Sequence, residues 1–165
     1  MQRVIQFFLP ACLAVLLLSA CNKGVIYQKY ITIPHSLWDM NKPVSFDVNI
    51  EDTVNYYNVF VNVRNADNYE YGNLYLFIDI TSPAHITERD TLECILANPV
   101  TGRWLGNGLG DIWDNKILFK RNVRFPRKGE YNVKYTQAMR LIKLPMIMDV
   151  GLCIQKVPVY SKSSK

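Results

Sequence analysis

Histidine is almost absent from these 165 residues: His35 and His85 stand alone, and with four cysteines they supply no metal-ligand spacing. No serine, histidine and carboxylate fall into a nucleophile-base pattern, and Asp90-Thr91-Leu92-Glu93 lacks the partners of a carboxylate dyad, so no catalytic residue, metal or cofactor is expected. Charge is also sparse and nearly balanced. The formal net charge is +5, and about +2 once Arg3 and the terminal Lys162 and Lys165 are set aside. That is too little, and too scattered, for a nucleic-acid partner. No apolar stripe of helical period appears, and no apolar run reaches the ~20 residues a membrane-spanning helix needs.

What is present begins at the N-terminus. Arg3 precedes a largely apolar stretch, Val4 to Leu18, which leads into Leu18-Ser19-Ala20-Cys21. A cationic start, an uncharged apolar segment and small residues before a cysteine have the form of a lipoprotein signal peptide ending in a lipobox. The Cys21 thiolate is the nucleophile that takes the diacylglyceryl group. Residues 1–20 are therefore expected to be removed. Residues 21–24 form a short tether, and the chain becomes a tethered partner of the lipid bilayer. Asn22 is not the aspartate that retains lipoproteins at the inner membrane, so the outer membrane, facing the periplasm, is expected.

The rest of the chain alternates with a period of two. Val44, Phe46, Val48 and Ile50 face one way against Ser45, Asp47 and Asn49; Tyr57 to Asn65 and Asn73 to Thr81 repeat the pattern. Asn65 to Asn68 supplies turn chemistry, so these last two are expected to form a hairpin. Pro83 ends the second, and a loop is expected over His85 to Asp90. Further strands are expected at Ile26 to Ile33, Thr91 to Ala97, Ile117 to Phe125, Gly129 to Tyr135 and Met146 to Val157, with Gln137 to Leu144 a loop or single helical turn. About eight short strands and almost no helix predict an all-β protein, an antiparallel, jelly-roll-like β-sandwich. It is expected as one domain over residues 25–158, with a polar tail at 159–165.

Two cysteines, Cys94 and Cys153, remain in this body. In an oxidising compartment they are a possible disulfide, while two free thiols, one of them buried, is the alternative. Cys94 shares the phase of Leu92 and Leu96, whereas Cys153 alternates with Leu152 and Ile154.

Thr101 to Asp114 is the one segment that departs from strand and turn. Gly106, Gly108 and Gly110 lack the helix and lysine of a phosphate loop, and Asn107, Asp111, Asp114 and Asn115 lack the spacing of an EF-hand. One reading makes it a wide turn with Trp104 and Trp113 packed over a sandwich end; the other makes Arg103, Trp104 and Asp111 a partner-binding surface, since tryptophan and arginine are enriched in hot spots. Tyr69, Tyr71 and Tyr75 are candidates for a sugar-stacking platform, which would suit a carbohydrate- or peptidoglycan-binding module.

Several ordered blocks carry a resemblance. Tyr57-Asn58-Val59-Phe60-Val61-Asn62-Val63-Arg64-Asn65, Tyr69-Glu70-Tyr71-Gly72-Asn73-Leu74, Asp90-Thr91-Leu92-Glu93, Gly102-Arg103-Trp104-Leu105-Gly106-Asn107-Gly108, Gln137-Ala138-Met139-Arg140 and Asp149-Val150-Gly151-Leu152 together make the chain resemble the gliding-motility lipoprotein H family. The resemblance runs from about Tyr27 to Val157 and includes the lipobox. It implies a bacterial envelope lipoprotein of the Bacteroidota type with no known catalytic activity or cofactor. Other envelope or gliding-machinery proteins are its implied partners, in an accessory or docking role. Among site residues only the lipidated Cys21 carries over.

Overall fold

The structure, a computed structural model, describes residues 24–158; the expected signal segment, Cys21 and the tail at 159–165 lie outside the described residues. Eight long strands build the body: β1 (Val25–Thr32), β3 (Val44–Ile50), β4 (Tyr57–Ala66), β5 (Asn73–Thr81), β6 (Thr87–Ile95), β8 (Ile112–Val123), β9 (Gly129–Gln137) and β11 (Ile147–Lys156). Three strands of three residues complete the set: β2 (Leu37–Asp39), β7 (Asn107–Leu109) and β10 (Lys143–Pro145). One sheet has the order β1-β11-β4-β8-β7 and the other β3-β9-β5-β6; β2 and β10 form a separate ribbon.

The pairing is nested. β1 pairs with β11, β3 with β9, β4 with β8, and β5 with β6, all antiparallel. The long strands thus form one hairpin rolled over itself into two facing sheets, which is jelly-roll topology. Alternation holds through the body. In β3, Val44, Phe46, Val48 and Ile50 are buried between exposed neighbours, and Leu74, Leu76 and Ile78 of β5 meet them in the same core. Large rings pack at its ends: Trp38 is fully buried at one, and at the other Phe125 meets Tyr57 at a tilt and Tyr131 edge to face, with centroids 5.5 and 5.1 Å apart.

Two expectations are corrected. β4 and β5 do not form a hairpin, because they lie in different sheets. The segment between them sends Tyr69 into the core, where its hydroxyl donates to Asn73 O at 3.0 Å, and this drives the chain across from one sheet to the other. The loop expected over 85–90 is shorter than proposed: β6 already starts at Thr87. A tight turn closes β5 onto β6, with His85 N donating to Ser82 O at 2.9 Å and His85 at φ 58°.

Cys94 and Cys153 are both free and buried, on different sheets. Cys94 points into the shared core, as its phase with Leu96 requires. Burial, with Glu93 adding to it, pushes its thiol up to about 12, so it stays protonated and inert. The outer face of the β1-β11-β4-β8 sheet carries a polar lattice instead. Arg64 lies over the Tyr30 ring and pairs with Asp114 at 3.1 Å, and Thr32 bonds Asp149 at 2.7 Å.

Candidate recognition surface at the loop end

The jelly roll has two unlike ends. At the N-terminal end, Gly24 meets the end of β11, where Lys156 N donates to Gly24 O at 2.7 Å. The connections there span only 51–56, 82–86 and 124–128. At the other end the chain is longer and crosses itself: segments 33–43, 67–72, 96–111 and 138–146 all emerge together. They are laced by backbone bonds from Met40 N to Ile142 O and from Asp67 N to Asp111 O, both 2.8 Å, while buried Gln137 donates to Leu141 O at 2.7 Å.

Each candidate from the glycine-rich segment sits at this loop end. Asn98 folds the start of the segment, its side chain accepting from Val100 N and Thr101 N at 2.9 and 3.0 Å, and Gly102 at φ +69° takes the left-handed turn that follows. Trp104 then bridges to Ala97 and is half-buried, with its ring 6.4 Å from Trp113 and 6.5 Å from Tyr69. Tyr71 meets Tyr69 edge to face at 5.5 Å. Burial, with the neighbouring Tyr71 hydroxyl next, raises the Tyr69 pKa well above its ordinary value. The Trp113 indole donates to Asp67 Oδ1 at 2.9 Å, which ties the cluster to the 67–72 segment. The structure therefore places Trp104 within the aromatic packing of the sandwich end. Arg103 and Asp111 stay exposed, Asp111 in the turn between β7 and β8, and they form no ion pair with each other.

Behind the rings the packing is polar and tight. Buried Asn115 donates to Asn65 Oδ1 at 3.0 Å and to Val63 O at 3.2 Å. Gly106 passes so close that a Cβ there would lie 2.7 Å from Asn115 Oδ1. A glycine is required at that point because the two backbones nearly touch.

Apolar tips that sequence reasoning did not single out crown this end. Val100 is 90% exposed, Leu109 79% and Leu105 58%, with Ile142 and Ile95 exposed nearby on the same end. The signal is in the sequence: apolar residues set among glycines with neither strand nor helical period have no core to enter. Below them, Tyr71, Trp104, Asn73, Glu93 and Asn98 line an open recess of about 520 Å³. Tyr75, opposite Glu93 on β5, does not line the recess and its ring pairs with neither Tyr69 nor Tyr71, so the three tyrosines do not form a stacking row. No group of three or more histidine, cysteine or acidic side chains converges as a metal site among the described residues.

These features define a jelly-roll sandwich whose elaborated, apolar-tipped loop end is its candidate recognition surface. The chain belongs to the GldH lipoprotein family, whose model matches residues 25–154. It is 38% identical over 151 residues to the gliding motility lipoprotein GldH of Flavobacterium johnsoniae, covering 87% of this chain and 92% of that protein. It is also 36% identical over 149 residues to a gliding motility lipoprotein GldH homolog of Christiangramia forsetii, covering 86% and 90%.

Proposed function

We propose that this protein is a lipid-anchored component of the cell envelope that acts as a non-catalytic docking element of the gliding-motility machinery. In this reading residues 1–20 are a signal peptide and Cys21 carries the acyl chains at the outer membrane, facing the periplasm. The observation that carries it is the polarity of the sandwich. Gly24, three residues from Cys21, enters at one end, so the tether spans at most about 10 Å. Val100, Leu105 and Leu109 crown the other end, roughly 30 Å away along strands of this length. An anchor at one end turns the loop end toward the periplasm, and tethering raises the local concentration of the docking surface without new contacts. Arg103 and Asp111 supply the polar rim of that surface and the exposed leucines its apolar centre, as recognition surfaces are generally arranged. Exposed apolar tips of this kind mark interaction sites.

The test has two arms. Palmitate labelling and membrane fractionation of the wild type against Cys21→Ala read the anchor; labelling that persists in the variant refutes it. Photocrosslinking from position 100, exposed beside Leu105 and Leu109, reads the surface in cells. Capture of an envelope protein, lost in Leu105→Asp/Leu109→Asp with the melting temperature unchanged, supports docking. A second reading, glycan binding, is favoured by the recess beside Tyr71 and Trp104. Retention on peptidoglycan or polysaccharide that Tyr71→Ala abolishes, with no protein crosslink, would put that reading first.

A further inference from the structure

A second cavity lies at the N-terminal end, between the sheets. It has a volume of about 330 Å³, within the size range of small-molecule sites, and its walls are Val59 and Ile154 from one sheet and Ile80 and Val133 from the other. Ile86 and Phe125 stand at its mouth. The register explains the opening. β8 slips against β4 between Tyr57 and Phe60, and such bulges increase local twist, which draws the edge strand away from the facing sheet where the core would otherwise close. Ile86 is 63% exposed in the turn before β6, an apolar side chain at the mouth of an apolar space.

The mouth is cationic. Lys120, Arg124 and Arg127 line it against a single acid, Glu88. Lys120 is engaged by Asp90 at 2.6 Å, and Arg124 donates to Thr53 O at 3.3 Å. The Arg127 guanidinium has no partner among the described residues, and Lys128 follows it in the same exposed loop. An apolar interior with a guanidinium at its entrance fits one kind of ligand, a flexible hydrocarbon with an anion at one end. A neutral apolar ligand would leave the Arg127 guanidinium without a partner, and a small anion would leave the walls uncovered.

We propose that this cleft binds a single acyl chain carrying an anionic headgroup, the chemistry of a long-chain fatty acid. Its chain would lie between Val59, Val133 and Ile154, and its carboxylate would meet Arg127 and Arg124. Nothing in this depends on the docking surface at the opposite end or on acylation of Cys21.

The test is photolabelling of the full-length protein, purified in digitonin, with a dodecanoate bearing a diazirine on its chain. Saturable labelling is expected on peptides containing Val59, Val133 or Ile154, which a detergent or bilayer surface does not reach. Dodecanoate should compete, and its methyl ester should compete about tenfold less well, the difference one charge-assisted contact makes. Ala84→Trp, placed at the lining, should abolish the label. Arg124→Ala/Arg127→Ala, both at exposed positions, should weaken binding about tenfold with an unchanged melting curve, which keeps the test decisive if the tryptophan variant misfolds. Absence of saturable label, label confined to exposed residues such as Ile26 or Leu109, or equal competition by acid and ester would overturn the proposal.

Discussion

The two ends of the sandwich are closed by the same eight strands and by opposite means. At the N-terminal end the turns are held largely from within, with two cross-links, from Arg124 to Thr53 O and from Val157 N to Tyr56 O. Asp52 accepts from Val54 N and Asn55 N at 2.8 and 3.2 Å and from the Asn55 side chain, and Tyr57 donates to Asp52 O. These bonds, the side-chain bond of Asn55 foremost, hold the half-buried Asp52 carboxyl well below the usual carboxylate range. At the loop end no connection is self-sufficient. Segment 96–111 is held by Trp104 against Tyr69, by Trp113 bonding Asp67, and by Gly106 against Asn115. Short turns held largely from within leave an end free to open between its sheets, as the cleft at Ile86 and Phe125 does. Long loops that depend on one another make a rigid platform, and rigid platforms are where loop residues can be held ready for a partner.

The strongest way to break this contrast is at Trp104. If its ring belongs to the sandwich end, Trp104→Ala should destabilise the protein by about 2–3 kcal/mol in urea denaturation, somewhat below a fully buried tryptophan. Val54→Ala, on an exposed turn at the other end, should stay within about 0.5 kcal/mol. Equal effects at the two positions would mean that the long loops are not held by their aromatic packing. The close approach behind the rings comes next. Gly106→Ala places a Cβ 2.7 Å from Asn115 Oδ1 and 2.9 Å from Asp114 O, and should cost about 1–3 kcal/mol by overpacking. Gly102→Ala meets nothing within 4 Å, so only its left-handed backbone is penalised, by about 1 kcal/mol. Thermal melts of the pair separate the two causes.

A further modest effect is expected away from both ends, on the outer face of the second sheet. The buried Asp79 carboxylate takes two bonds from Arg89, at 2.5 and 2.8 Å, and lies 3.2 Å from Lys134. The Arg89 hydrogen bond first, with Lys134 helping, lowers its pKa to about 2. Unfolded, the group titrates near 3.9. The pair therefore stabilises the fold above about pH 4 and loses that contribution as the pH falls toward 2. Asp79→Asn should cost about 1 kcal/mol at pH 7, since both cations are largely solvated, and the gap to the wild type should close through that acid window. A gap that persists at pH 2 would mean that packing, not charge, is what Asp79 supplies.

Much of the fold is legible in the order of residues alone. Val44 to Ile50 and Asn73 to Thr81 coincide with β3 and β5, because a strand buried on one face writes its period directly into its residues. The exposed glycine-rich segment is also visible as an exception to that period. The partner of each strand is not. Tyr57 to Asn65 and Asn73 to Thr81 are neighbours in sequence joined by turn residues, yet they lie in different sheets, with Tyr69 between them buried in the core the sheets share. The three-residue strands β2, β7 and β10 are hidden for a similar reason, since a ladder of that length leaves no periodicity to read. Within the candidate surface, Arg103, Trp104 and Asp111 stand out on composition. Which of them faces solvent is decided by the stacking of Trp104 on Trp113.

The amino-acid sequence by itself determined the eight long strands, the all-β class and the family, and it is the source of the acylation proposed at Cys21, because each is written in local spacing or in short contiguous motifs. Only the tertiary structure decided that Cys94 and Cys153 stay apart, that the long loops gather at the end opposite Gly24, and that a cationic-mouthed cleft opens beside the N-terminal turns. Those outcomes depend on which strands meet across the sandwich. That choice is made by the burial of side chains far apart in sequence, and no local pattern records it.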